Sequence, residues 1–411
     1  MTPEGLPRDD RHGNPAAHVR ADWLCLGEHK VLRETTEYWT SAQRQSHSLH
    51  EVSYRACFKA ELPLYFIERY SAEGDVVYDP FMGRGTTLLE AGLKGRVPEG
   101  NDVNPLAEVL LRPRLEPPTL EAVAARLGEL DWDRAAPLDL DLSMFYHPET
   151  LGRLAALRAY LLERAASGEL DAVDRWIRMV ATNRLTGHSP GFFSVYTMPP
   201  NQAVSAESQV KINRRRNQRP EDAYKDVPAL ILRKSKALLK DVTPLERLLL
   251  DEVATGARLH CCDVRDTKAI EAESVALVVT SPPFLNVVQY AKDNWLRCWF
   301  NGIDAEAVAE AITTPRSVRD WSQVMFDCLL ELRRILRPGG RIAFEVGEVT
   351  GGDGEVRLDE VVAPLGIEAG LDCERILINE QSFTKTANCW GVKNNRKGTN
   401  TNRIVLLRKP S

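Results

Sequence analysis

The chain has 411 residues, of which 43% are hydrophobic and 27% charged, an ordinary globular composition with ample apolar material for a core. That length suggests two domains, or one domain with a large insertion. The net charge of −5 excludes a uniformly basic nucleic-acid coat, so a polyanion site has to be a local patch.

Residues 1–30 are polar and rich in Pro and Gly and are expected to form a loose tail. Residues 51–70 read as a helical entry, with Leu62, Phe66, Ile67 and Tyr70 at helical spacing. Val76-Val77-Tyr78 is a short apolar strand, followed by the loop Asp79-Pro80-Phe81-Met82-Gly83-Arg84-Gly85-Thr86-Thr87 and a helix over 86–93. A second strand over 96–102 ends at Asn101-Asp102-Val103-Asn104-Pro105. Strand, loop, helix and strand make one βαβ unit of a parallel sheet. From 117 to about 250 the chain turns rich in Leu, Ala, Glu and Arg and reads as an inserted helical region, broken by a Gly/Pro-containing loop at 187–200. Strands resume at 258–263 and 274–280. An amphipathic helix at 325–336 and a strand at 341–346 follow, and 376–378 and 403–407 are candidate closing strands.

The loop after the first strand has the composition of a cofactor site. Gly83 and Gly85 lack Cβ atoms and let a backbone approach a flat, charged ligand, and the helix that follows presents free N–H groups at its start. Asp79 at the strand end can meet a cation or an amine donor. Asp102 lies 23 residues further on, close to the ~20-residue spacing at which an acid grips ribose hydroxyls in dinucleotide folds. The third glycine of GxGxxG is missing and Thr87 and Leu88 follow instead. With no pyrophosphate to cradle, this favours S-adenosylmethionine over NAD. Asp263, at the end of a third strand, can accept the adenine amino group, with Val264 beside it.

The second motif is Ser281-Pro282-Pro283-Phe284, after the apolar strand Val275-Ala276-Leu277-Val278-Val279-Thr280. An aromatic exocyclic amine is a poor nucleophile because its lone pair is delocalised into the ring. The Ser281 hydroxyl oxygen and the Pro282 carbonyl could take its two hydrogens and favour a pyramidal nitrogen. Consecutive prolines remove two donors and stiffen the turn, and Phe284 offers a face for an extruded base. In-line displacement then needs positioning and no covalent intermediate, so neither Cys261 nor Cys262 is assigned as a nucleophile.

Taken together, DPFMGRGTT, an acidic strand end and TSPPF resemble the bacterial amino-methylating DNA methyltransferases, over about residues 45–115 and 255–411. The Ser-Pro-Pro-aromatic turn looks like the N4-cytosine branch; the adenine branch usually carries Asp or Asn where Ser281 stands. The resemblance implies a Rossmann-like α/β fold with a mostly parallel seven-stranded sheet and S-adenosylmethionine as cofactor. It also implies methyl transfer to N4 of cytosine in duplex DNA, in restriction-modification or epigenetic marking. The entry segment ahead of the Gly loop would touch the methionine end of the cofactor, which places Phe58 and Lys59 there. N6-adenine methylation, an RNA base substrate and a catalytically silent DNA-binding subunit stay open as alternatives.

The expected organisation is a tail (1–30), a cofactor half (31–116), a helical insertion for DNA recognition or dimerisation (117–256) and a second catalytic half (257–411). Residues 211–240 hold ten basic side chains against three acidic ones, and 385–409 hold seven against none. Lys211, Arg214, Arg215, Arg216 and Arg219, with Lys393, Asn394, Arg396 and Lys397, are therefore the candidate DNA contacts. A homodimer and a cognate restriction endonuclease are further partners the resemblance leaves open. Eight cysteines without a Cys-x-x-Cys pair fit free thiols in a reducing cytoplasm. The scattered histidines suggest no metal site. No apolar stretch approaches the ~18 residues of a membrane helix, so a cytoplasmic, nucleoid-associated protein without membrane contact is expected.

Overall fold

A computed structural model describes residues 19–39, 46–55, 57–198, 203–283, 290–313, 315, 317–351, 354–380 and 401–411. In chain order the strands are β1 (Arg20–Leu26), β2 (His29–Thr36), β3 (Val76–Asp79), β4 (Val97–Asn101), β5 (Arg258–His260) and β6 (Val275–Thr280). They continue with β7 (Leu336–Val346), β8 (Glu348–Gly351), β9 (Gly354–Arg357), β10 (Asp372–Glu380) and β11 (Thr401–Arg408). Nine of them form one sheet in the order β1-β2-β10-β11-β7-β6-β3-β4-β5, and β8 and β9 form a separate hairpin.

The run β7-β6-β3-β4-β5 is parallel throughout. β11 is antiparallel to both β7 and β10, so the two expected closing strands lie within β10 and β11. The seven-stranded expectation needs correction to a mixed sheet of nine. The two extra strands come from residues 20–36: β1 lies in the expected tail, and most of β2 in the start of the expected cofactor half. Arg20–Leu26 pairs with His29–Thr36 through a turn at Gly27, whose φ is 61°, and β2 joins the edge of β10 in parallel. Val31 of this hairpin is buried, and Leu24 and Leu26 are partly buried against the same core cluster. Ion pairs add to this packing and to the backbone ladder: Arg33 with Asp22 at 2.7 Å within the hairpin, and Arg20 with Glu380 and Arg375 with Glu34 at 3.2 Å across to β10. Charge along an edge strand also discourages pairing with a further chain.

Strand periodicity distributes the core. Val77, Leu277 and Val279 face a cluster with Leu62, Phe66 and Ile67 of the helix Glu61–Tyr70. Tyr78 and Val278 face the other way, toward Met325, Leu329 and Leu332 of the helix Val318–Ile335. The third cluster joins the helices of the expected insertion to Leu88 and Leu89 of the Gly-loop helix and to Leu296 and Phe300 of the helix Tyr290–Asn301. Between residues 117 and 256 the described residues form helices, and their core is shared with the segments on both sides.

The order of strands positions the site. From β3 the chain steps outward through β4 to β5, then returns to the other side of β3 as β6. The carboxyl ends of β3 and β6 are thus the point where strand order reverses, and loops leaving a parallel sheet there diverge and open a crevice.

Candidate active site

A cavity of about 940 Å³, including its open mouth, lies at this reversal. Pro80, Phe81 and Gly83 from the first loop line it, with Asp102, Val103 and Asn104 after β4, Asp263 and Val264 after β5, and Ser281 and Pro283 after β6. Segments up to about two hundred residues apart in sequence thus meet on one wall.

Hydrogen bonds set the loop shapes. The Asp102 carboxylate accepts from the Gly83 N–H and the Asn104 N–H, both at 2.9 Å, so it ties the Gly loop to the end of β4. Burial raises its proton affinity and these two donors oppose that. Gly85 has a φ of 74°, and a Cβ there would sit 2.7 Å from the Leu111 side chain. Gly83 has a φ of 50°, and a Cβ there would crowd the Tyr54 ring at 3.3 Å. Asn101 bridges β4 to the end of β5, donating to the Cys262 carbonyl at 2.9 Å and accepting from its N–H at 3.1 Å. That bridge delivers Asp263, whose carboxylate binds the Arg265 guanidinium and is held below the usual carboxylate range by it.

Other expected contacts lie behind the wall. Asp79 is 2% exposed; it accepts from the Thr280 hydroxyl at 2.6 Å and the Phe81 N–H at 3.1 Å, linking the ends of β3 and β6. Burial pushes its carboxyl up to about 7. Thr87 donates to the Val279 carbonyl at 3.0 Å, and Thr86 accepts from Arg84 at 3.1 Å, so both fasten the helix start. Gly85 and buried Pro282 are likewise outside the lining. Phe58 packs against the cluster of Trp39 and Phe66, and Lys59 is exposed. Phe284 lies outside the described residues.

Several lining groups carried no sequence signal. Tyr54 reaches the cavity because Arg84 donates to the carbonyls of His50 and Val52 at 3.0 and 2.9 Å, while buried Arg114 binds the Leu49 and Arg84 carbonyls. Trp321 and Met325 enter from the helix after the turn, and Trp321 donates its indole N–H to the Pro283 carbonyl at 3.1 Å. Amphipathic spacing marks those two as core, and only the packing makes them part of the wall. Burial pushes the thiols of Cys261 and Cys262 up, so neither is activated as a thiolate.

The wall suits S-adenosylmethionine. Asn104 is 2% exposed and lines the cavity; its Oδ1 accepts from the Leu106 N–H at 3.0 Å, whereas its buried Nδ2 has no acceptor among the described residues. A buried donor of this kind calls for an acceptor from a ligand. Carboxylates at Asp102 and Asp263 add acceptors for hydroxyl and amine donors, and Phe81, Val264 and Val324 add apolar surface.

The basic candidates sit elsewhere. Lys211, Arg214, Arg215 and Arg216 are exposed on the helix Ala206–Arg216, and none makes an ion pair among the described residues. Arg216 stacks over Tyr196 at 3.7 Å. Arg219 pairs with Glu221 at 3.0 Å. Lys393, Asn394, Arg396 and Lys397 lie outside the described residues. Among the described residues, no group of three or more His, Cys, Asp or Glu gathers to hold a metal ion, and no helix is long and apolar enough to cross a membrane.

Residues 12–105 match the family model described as DNA methylase. Over 70 residues the chain is 39% identical to Type II methyltransferase M.MjaII of Methanocaldococcus jannaschii, covering 16% of this chain and 13% of that protein. Over 125 residues it is 27% identical to Type II methyltransferase M.MvaI of Kocuria varians, covering 29% and 26%. The chain therefore spans only a minor part of the length of either of these relatives. Among solved structures, a TehB-like SAM-dependent methyltransferase of Corynebacterium glutamicum aligns over 84% of this chain and 86% of its own, at 9% identity and a TM-score of 0.30. The likeness to DNA methylases is thus carried by residues 12–105 and by short stretches shared with the two type II methyltransferases, and S-adenosylmethionine is the expected cofactor.

Proposed function

We propose that this chain methylates the N4 amine of cytosine in duplex DNA, using S-adenosylmethionine. One observation carries the reading: the strand-order reversal sets the Gly83–Asp102 loop and the Ser281–Pro283 turn on one cavity. A methyl donor held by the first lies next to an amine held by the second. Bound S-adenosylmethionine supplies an electrophilic methyl on a sulfonium. The protein's part is to orient the amine, accept its hydrogens and exclude water.

Asp102 serves the ribose, Asn104 and Asp263 the polar edges of the adenosine, and Ser281 with the Pro282 carbonyl the target amine. Trp321 stiffens the turn through Pro283, which keeps those acceptors aimed. The flipped base, whose extrusion costs a few kcal/mol, stacks on Phe284. Lys211, Arg214, Arg215 and Arg216 neutralise phosphates from a protein that is acidic as a whole. A part in restriction-modification follows from the family resemblance, and with it a cognate endonuclease.

The test is nucleoside mass spectrometry of duplex DNA incubated with the protein and methyl-labelled cofactor. Label in N4-methylcytosine is expected. Label in N6-methyladenine would keep the chemistry and overturn the assignment of Ser281 to cytosine. Label confined to RNA, or no label at all, would overturn the DNA-methylating reading.

A further inference from the structure

Behind the Ser281 turn stands an acid that the chemistry so far leaves unused. Glu345 lies on β7, next to β6, and is 7% exposed. The Ser281 hydroxyl hydrogen-bonds its carboxylate, and the Asn402 amide of β11 donates to its Oε1 at 2.9 Å. β7 lies between β6 and β11 in the sheet, so Glu345 is approached from both neighbouring strands. Charged groups on the surrounding strands are engaged elsewhere. Arg403 of β11 pairs with Glu348 and Asp359, at 2.7 and 3.2 Å, and Asp79 of β3 accepts from Thr280. Glu345 therefore has two neutral hydrogen-bond donors and no cation as partner among the described residues.

A buried carboxylate without a counter-ion is costly, and its placement against Ser281 gives it a chemical use. We propose that Glu345 orients Ser281 and receives, through it, the proton that the target amine sheds. This rests on the amine-methylating reading above. Because the Ser281 proton is committed to Glu345, its oxygen faces the cavity as an acceptor only, which is what an N–H donor requires. In the transfer the amine lone pair forms the N–C bond while the methyl–sulfur bond breaks and its electron pair goes to sulfur. The nitrogen is left cationic with one proton too many. That proton passes to the Ser281 oxygen as the Ser281 proton passes to Glu345, leaving a neutral methylamine and a protonated Glu345. The proton returns to solvent when product leaves and the cavity opens. Burial, which raises the proton affinity of Glu345, suits it to this task; the Ser281 and Asn402 bonds moderate the effect.

The experiment compares the full-length wild type, Glu345→Gln and Glu345→Asp on duplex DNA. Single-turnover methylation rates are measured from pH 5 to 9, with cofactor Kd and DNA KM alongside. Glu345→Gln keeps the shape and is expected to cut the rate about 100-fold, within the range for lost proton transfer. Cofactor Kd and DNA KM should move less than about threefold, and the acid limb of the wild-type profile should disappear. Glu345→Asp should recover part of the rate and the limb. A Gln variant within about threefold of wild type, a surviving acid limb, or equal losses in both variants would overturn the role. A second readout needs no Glu345 variant: carboxyl titration by infrared or NMR in wild type and Ser281→Ala. Glu345 should titrate above the ordinary glutamate range and rise further when the Ser281 hydrogen bond is removed; an ordinary, unmoved value would overturn the proposal. A wild type that methylates no base amine, while still binding cofactor, would instead overturn the underlying reading, and the role of Glu345 with it.

Discussion

Replacing Asp79 by Asn should stabilise the protein at alkaline pH and not at acid pH. Burial pushes the Asp79 carboxyl up to about 7 in the folded chain, against an ordinary value of 3.8; the hydrogen bonds from the Thr280 hydroxyl and the Phe81 N–H act the other way. Below about pH 4 the group is protonated both folded and unfolded, and its contribution to stability is at its greatest. As pH rises, the unfolded chain ionises first, so unfolding releases a proton and stability falls until the folded group has also ionised, near pH 7. A shift of about three units, at about 1.36 kcal/mol each, amounts to about 4 kcal/mol lost between pH 4 and pH 8. The Asn side chain of the variant retains an acceptor for the Thr280 hydroxyl and the Phe81 N–H but cannot ionise. Urea unfolding of wild type and Asp79→Asn, without cofactor, should show the variant about 2–4 kcal/mol more stable at pH 8.5 and no more stable at pH 4.5. Asp102, Glu345 and Asp359 are also pushed up by burial. They titrate in both proteins and largely cancel in the difference. An equal difference at the two pH values, or a variant less stable at pH 8.5, would refute the argument that burial without charge compensation governs Asp79.

Three further outcomes follow from the geometry. Ser281→Ala should lower turnover about 100-fold, on the scale of losing one oriented hydrogen-bonding group at a reacting centre, with cofactor Kd unchanged; equal losses in both would refute its place on the amine side. Asp102→Ala should weaken cofactor binding by about 1–3 kcal/mol in isothermal titration, since it removes a hydroxyl acceptor and frees the Gly83 and Asn104 N–H groups that shape the loop. An unchanged affinity would move the ribose site elsewhere. Gly85→Ala should destabilise the fold by about 1–3 kcal/mol, because φ is 74° and the new methyl would meet Leu111 at 2.7 Å; a neutral melting temperature would show that this loop yields easily.

Much of the site was legible from residue order alone. A short apolar strand running into DPFMGRGTT and a longer one running into TSPP are local patterns, and local patterns are what strand periodicity and turn chemistry encode. The acid 23 residues after Asp79 was legible for the same reason, since one βαβ unit has a nearly constant length. Those features determined the parallel sheet, the Gly loop and the Ser-Pro-Pro turn as separate pieces.

Only the tertiary structure decided how the pieces divide their labour. Asp79 and Asp102 look alike as acids at strand ends, yet one is sealed between β3 and β6 and the other lines the cavity, because their burial depends on which strand lies alongside. Tyr54, Trp321 and Glu345 belong to segments with no motif and reach the site through contacts 29 to 64 residues distant in sequence, from Gly83 to Tyr54 at the near end and from Glu345 to Ser281 at the far end. The β1–β2 hairpin reaches the sheet through Val31, the half-buried Leu24 and Leu26 and two ion pairs to β10, and such partners are visible only once β10 has been placed beside it.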